Sequence, residues 1–135
     1  MGNGTLKELT TADMAKIIYN SGREIDLVTQ KVTTWPPFDS LEMELVPLFV
    51  SQVEAIINNI RLRPHELHQH FKVTAQQMIA NLAPAQNILD KLEPYMIPFQ
   101  ALSEIEKTKF RLQVQLARVL MRHNRNVKRA EKRQR

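Results

Sequence analysis

Cysteine is absent from this chain of 135 residues, and glycine occurs only three times. Without cysteine there is no disulfide framework, no thiolate zinc site and no cysteine nucleophile. The low glycine content excludes a collagen-like repeat, and a hydrophobic fraction of 43% indicates a folded chain. The longest strongly apolar stretch covers only residues 45–50, so we expect neither a signal peptide nor a membrane-spanning helix.

Positive charge is concentrated at the carboxy-terminal end. Residues 107–135 contain eleven Lys or Arg side chains and a single acid, Glu131, which gives this segment a net charge of +10. Residues 1–106 carry a net charge of −5. This asymmetry predicts an acidic-to-neutral body with a basic arm, and the candidate partners of that arm are nucleic acid, an anionic membrane surface or an acidic protein.

Helical periodicity runs through most of the chain, and no two-residue alternation bounded by hairpin turns is present. The sequence therefore predicts an all-α fold with four to five helices separated by prolines. The length fits a single domain. We expect an extended amino-terminal arm (1–9), a helical body (10–103), and a long basic helix with its tail (104–135).

The boundaries of the first two helices follow from capping residues. Thr10 and Thr11 are predicted to cap a first helix, which either stops at Gly22 or continues through residues 23–33. Asp39 followed by Glu42 resembles a capping box, and it predicts a second helix over residues 41–60. That helix is apolar on more than one side, so we expect the domain or another copy of the chain to cover both sides.

Prolines and a serine define the later helices. Pro64 is predicted to start a helix with one apolar stripe, formed by Leu67, Phe71, Ala75, Met78 and Leu82. Pro84 is predicted to open a shorter helix that ends at Leu92. The segment Ser103 to Glu106 is a capping box that starts the last helix, which we expect to continue to about residue 130.

A line of basic residues on this last helix is the strongest candidate binding feature. Five of them recur at spacings of 4, 3, 4 and 3 residues, so they share a face about 21 Å long: Arg118, Arg122, Arg125, Arg129 and Lys132. Arginine predominates, which suits bidentate contact with phosphate oxygens. The predicted nucleic-acid-binding residues are Arg111, Arg118, Arg122, Arg125, Lys128, Arg129, Lys132 and Arg133. A solvated, partly frayed charged terminus is the alternative interpretation.

The first half of the last helix also carries apolar residues that are expected to anchor it on the body. Four positions are predicted to do so: Ile105, Leu112, Leu116 and Val119. The apolar stripe fades after Met121, so we expect the last turns to project from the body and to become ordered only when a partner binds.

Other residues give weaker signals. His65 and His68 lie one helical turn apart, but residues 65–69 do not match the H-E-x-x-H pattern of zinc sites, so we expect no metal ion. No Gly-rich phosphate loop or nucleophile elbow is present. The sequence therefore predicts no enzyme activity, no cofactor and no small-molecule substrate.

Two further groups of residues remain open to more than one interpretation. Trp35 and Phe38 flank two prolines and are expected to close the core over a loop, with base stacking or contact with a neighbouring subunit as the alternatives. Arg61, Arg63 and Lys72 form either a second cationic patch or an ordinary solvated surface.

These features favour a structural protein that coats or packages nucleic acid. Sequence-specific regulators usually place base-reading side chains on a compact recognition helix after a Gly-containing turn, and no such turn is present. A long arginine stripe contacts the phosphate backbone and reads shape instead. The alternative is a helical adaptor or transcription regulator, cytoplasmic or nucleoid-associated, whose basic tail binds nucleic acid only incidentally.

The arm at residues 1–9, the proline-separated helices and the basic stripe from Arg118 to Lys132 resemble the coat proteins of filamentous archaeal viruses. Members of that group are small helical proteins that assemble around double-stranded DNA and hold it in A form. The resemblance implies homo- or hetero-oligomers of similar helical subunits, with basic helices lining a DNA-filled lumen. It also implies that residues 41–60 lie in subunit contacts and that the protein resides in a virion.

Overall fold

Five α-helices, joined by turns and by longer loops at residues 31–45 and 93–103, make up the computed structural model, which describes residues 7–134. No β-strand occurs within this part of the chain, so the predicted all-α class is confirmed. The helices, in chain order, are α1 (Thr11–Gln30), α2 (Val46–Asn58), α3 (Pro64–Leu82), α4 (Gln86–Leu92) and α5 (Glu104–Arg133). Three short 3₁₀ turns lie between them, at Phe38–Ser40, Glu93–Tyr95 and Phe99–Ala101.

Helix α1 begins at the predicted cap and is a single long helix. The Thr10 hydroxyl accepts the Asp13 N–H at 3.0 Å, and the Asp13 carboxylate accepts the Thr10 N–H at 3.0 Å. Gly22 does not end the helix, because it lies buried inside α1 where α5 packs against it. The helix ends instead at Lys31, which adopts a left-handed conformation with φ 63°.

Helix α2 starts later than the capping pattern of Asp39 and Glu42 predicts. Asp39 lies in a 3₁₀ turn, where its carboxylate pairs with Lys16 at 2.8 Å. The α-helix begins at Val46, because Pro47 has no N–H to donate and its fixed φ suits the first helical turn. The predicted span of residues 41–60 is therefore wrong at its start, and the helix also ends two residues earlier, at Asn58.

Helices α3 and α5 start where predicted, whereas α4 does not. Pro64 is the first residue of α3, and the Ser103 hydroxyl caps α5 by accepting the Glu106 N–H at 3.2 Å. Helix α4 begins at Gln86 rather than at Pro84. Proline restricts the residue before it, and Ala83 takes a left-handed conformation with φ 43°, which separates α3 from α4.

Helices α1, α2, α3 and α5 pack around one core. Helix α1 contacts α2 and α5, and α3 contacts the same two helices. Contacts from Asp26 to Lys109 and from Leu9 to Asn124 show that α1 runs antiparallel to α5. The predicted stripe of α3 is confirmed at Leu67, Phe71 and Ala75, which are fully or almost fully buried, but it is wrong at Leu82, which is 57% exposed.

The buried stripe of α5 differs from the predicted one. Phe110, Val114 and Ala117 face the core, whereas Val119, which was expected to anchor the helix, is 54% exposed. Two apolar stripes run along this helix, and the stripe that contains Phe110 is the buried one. The Phe110 ring packs against the rings of Phe71, Tyr95 and Phe99. The expected anchors Ile105, Leu112 and Leu116 are only half-buried. Burial of Phe110 thus determines which side of α5 faces solvent.

Candidate nucleic-acid interface

Helix α5 presents most of its basic residues to solvent. Seven of the eight predicted site residues are exposed: Arg111, Arg122, Arg125, Lys128, Arg129, Lys132 and Arg133. The helix continues without interruption to Arg133. From Arg111 to Arg133 the rise is about 33 Å, at roughly 1.5 Å per residue. These seven exposed residues therefore form a cationic surface along α5, which we call the α5 stripe.

The first turns of α5 add little free positive charge. Lys107 pairs with Glu104 at 3.3 Å. The amine of Lys109 is largely buried and lies 2.9 Å from the Asp26 carboxylate and 3.4 Å from that of Glu106. Both lysines belong to the basic segment of the sequence, yet their charges are compensated. The cationic surface consequently begins at Arg111.

Further along the helix, most of the charge has no acidic partner. Arg111 lies 3.9 Å from Glu104, and Lys128 lies 3.1 Å from Glu8. Within residues 7–134, no carboxylate comes within 4 Å of the other exposed basic groups of the stripe: Arg122, Arg125, Arg129, Lys132 and Arg133. An anion could therefore reach these five side chains without displacing an existing partner.

Arg118 differs from the other predicted site residues. Its side chain is half-buried, and its Nε donates a hydrogen bond to the Ile60 carbonyl at 2.8 Å. A second bond, from Nη2 to the Leu62 carbonyl, measures 3.4 Å. The guanidinium thus connects α5 to the turn between α2 and α3.

The amino-terminal arm binds the second half of α5. The Asn124 side chain accepts the Leu9 N–H at 2.7 Å and donates to the Leu9 carbonyl at 2.9 Å. One turn earlier, the His123 Nε2–H donates to the Lys7 carbonyl at 2.9 Å. We call residues 7–9 the arm strap. Residues 1–6 of the predicted arm lie outside the described residues.

The strap changes the expectation that α5 leaves the body after Met121. Val127 lies beyond that point and is 1% exposed. Lys128, in the same turn, pairs with Glu8 of the strap. The expectation that these turns project is therefore wrong for the segment 122–128, where the arm contacts His123, Asn124 and Lys128, and it stays a prediction for residues 129–135. The expectation that the end of α5 becomes ordered only when a partner binds also stays a prediction. The sequence held no signal for these bonds, because the paired residues are 115 or more positions apart.

The aromatic residues contact one another inside the protein. All five Phe, both Tyr and Trp35 are buried or half-buried. Trp35 packs edge-on against Tyr19 and Phe49, as expected for a ring that closes the core over a loop. Phe38 packs edge-on against Tyr19. Within residues 7–134, no Phe, Tyr or Trp ring is exposed for stacking on a base.

The histidines have structural contacts. His68 is buried, its Nε2–H donates to the Tyr95 carbonyl at 2.9 Å, and burial lowers the pKa of its ring below the ordinary value. His70 lies 2.8 Å from the Ser51 hydroxyl. Within residues 7–134, no group of three or more His, Asp or Glu side chains could hold a metal ion.

One small cavity of about 50 Å³ lies in the core, where Gln52 and Tyr95 are among its lining residues. This volume is far below the roughly 300 Å³ at which small-molecule sites begin. This cavity is therefore too small for an organic cofactor, and the expected absence of a cofactor stays a prediction.

Comparisons of the chain with known protein families, with curated proteins and with solved structures find no match. The class defined by the residues themselves is an all-α protein whose long basic helix exposes an arginine stripe. In the part of the chain that the structure describes, none of the helices is long and apolar enough to cross a membrane.

Proposed function

We propose that this protein coats or packages double-stranded nucleic acid by binding its phosphate backbone. The observation that carries the proposal is the α5 stripe, in which five exposed basic side chains have no acidic partner within the described residues. Clustered guanidinium groups bind phosphate oxygens in bidentate geometry and release counterions from a duplex. Such contacts fix position along the backbone and carry no direct base-sequence information.

The buried aromatic residues favour a duplex over a single strand. Proteins that bind single strands usually stack unpaired bases on exposed aromatic side chains. Here the rings pack against one another, and the exposed face of α5 carries arginines instead. A cationic helix surface about 33 Å long is suited to the continuous phosphate array of a duplex.

A second surface feature, an apolar groove, supports assembly of many copies. A groove between the start of α2 and the end of α3 has five apolar lining residues, Met43, Pro47, Leu48, Met78 and Leu82, besides Glu44 and Thr74. Met43 is 84% exposed and Leu82 is 57% exposed. Exposed apolar surface of this kind marks protein contacts. We therefore propose subunit contacts through the α2 region, as the resemblance to filamentous virus coat proteins implies, and a location in a virion.

Replacement of Arg122, Arg125, Arg129 and Arg133 by Gln tests the binding site. We expect the variant to lose nearly all affinity for a duplex and to keep the helicity of the parent, because these side chains are exposed. The double variant Arg125→Gln/Arg129→Gln has a charge-matched control, Lys16→Gln/Lys31→Gln, which removes two exposed lysines from the α1 segment. Equal affinity of this double variant and its control would place the binding site elsewhere.

Electron microscopy of the protein mixed with duplex DNA tests the packaging role. We expect filaments of constant diameter, with a helical repeat, that form only when DNA is present. Discrete complexes of one or two subunits on DNA would instead support the adaptor or regulator interpretation.

A further inference from the structure

The turn between α2 and α3, residues 59–63, is fixed against α5 by Arg118. The Arg118 guanidinium donates to the carbonyls of Ile60 and Leu62. These two carbonyls lie on either side of Arg61 in the chain. The side chain of Leu62 is half-buried and packs against the core. The backbone around Arg61 is thus held in place by the packing of the Leu62 side chain on the core and by the hydrogen bonds from Arg118 of α5.

Short hydrogen bonds within the turn fix it further. The Asn59 side chain accepts the Arg61 N–H at 3.2 Å, and the Asn59 carbonyl accepts the Leu62 N–H at 2.9 Å. The Glu66 carboxylate accepts the Arg63 N–H at 2.9 Å. These bonds use backbone groups of residues 61–63, and within residues 7–134 neither guanidinium group of the two arginines makes a hydrogen bond.

Arg61 and Arg63 are both exposed, and within residues 7–134 neither has a carboxylate within 4 Å of its guanidinium. Arg118 belongs to the same line of residues as Arg122 and Arg125, so the turn that it holds borders the α5 stripe. Lys72, the third member of the predicted second patch, lies elsewhere, because its amine donates to the Ile97 carbonyl at 3.4 Å.

We propose that Arg61 and Arg63 bind backbone phosphates of the same duplex as the α5 stripe, and that Arg118 is a positioning residue that holds their turn against α5. This inference rests on the proposed function and enlarges its site from one helix to two elements. A preformed turn does not have to be ordered when the duplex binds, so its arginines contact phosphate at a lower entropic cost than a flexible tail.

The double variant Arg61→Gln/Arg63→Gln tests the phosphate contacts in the full-length chain. If two phosphate contacts are lost, the log-log salt slope of binding to a 30-base-pair duplex should decrease in magnitude by about 1.8, at roughly 0.9 per phosphate. The charge-matched control Lys16→Gln/Lys31→Gln should keep the parent slope. Both pairs are exposed, and the one ion pair that the control removes, Lys16–Asp39, lies on the surface and contributes little to stability, so neither double variant should alter the fold.

Arg118→Lys tests the positioning role, because it keeps the charge and removes the guanidinium fork. We expect faster amide exchange at residues 59–63 and weaker duplex binding, although the net charge is unchanged. Parent-like exchange and affinity in this variant would overturn the positioning role.

The outcomes separate this inference from the proposed function. If Arg61→Gln/Arg63→Gln has the slope of the control while Arg125→Gln/Arg129→Gln loses affinity, the second contact is refuted and the α5 stripe remains the binding site. If the parent binds no duplex at all, both proposals fail.

Discussion

Asn124 makes the central contact between the arm strap and α5, so Asn124→Ala should release the strap. The substitution removes two hydrogen bonds to Leu9, each of which contributes about 0.5–1.5 kcal/mol net, or roughly 1–3 kcal/mol together. Alanine also favours helix over asparagine by about 0.6 kcal/mol, which offsets part of the loss. We therefore expect the free energy of unfolding to fall by roughly 0.5–2.5 kcal/mol.

Asn126→Ala is the matched control, because Asn126 is an exposed asparagine on the same helix. It gains the same helix propensity, and within the described residues its side chain makes no hydrogen bond that could be lost. The difference between the two variants in urea unfolding should therefore be about 1–3 kcal/mol. Amides of residues 122–128 should also exchange faster in Asn124→Ala alone. Equal stability and equal exchange in the two variants would refute the role of Asn124 in holding the arm strap on α5.

Two further predictions concern the core and the assembly surface. Because burial lowers the pKa of His68, protonation opposes folding, so stability should fall as pH decreases below about 6.5. The variant His68→Gln should show a weaker loss of stability over this range than the control His65→Gln in urea unfolding; identical pH profiles would contradict the assignment. Ile57 is 37% exposed, so Ile57→Glu should leave the monomer folded and weaken self-association in sedimentation. The control Gln77→Glu, at an exposed position, should not weaken self-association. Equal association of the two variants would exclude Ile57 from the subunit contact.

The elements with strong local signals were predictable from sequence. Helix α3 begins at its first-turn proline, and α5 begins at the serine cap, because both signals act over three or four residues. The start of α2 was not predictable in this way. Asp39 and Glu42 match a cap, but they take part in ion pairs with Lys16 and Lys91, and these contacts depend on the tertiary fold.

Several features of the candidate site depend on contacts between distant residues. The exposed arginines of α5 followed from their spacing, which needs only the period of the helix. The hydrogen bonds from Arg118 to the α2–α3 turn could not be predicted from the spacing. Their acceptors are backbone carbonyls nearly 60 residues away, which carry no side-chain signature in the sequence. The strap on Asn124 was missed for the same reason.

The affinity of the full-length chain for nucleic acid, measured as a function of salt concentration, tests the central claim most directly. Two 30-base-pair duplexes of unrelated sequence and one single strand of the same length are sufficient. We expect equal dissociation constants for the two duplexes and weaker binding to the single strand. If about six phosphates are neutralised, the log-log slope for the duplexes should be near −5. An affinity that barely changes with salt, or that strongly favours one sequence or the single strand, would contradict the account.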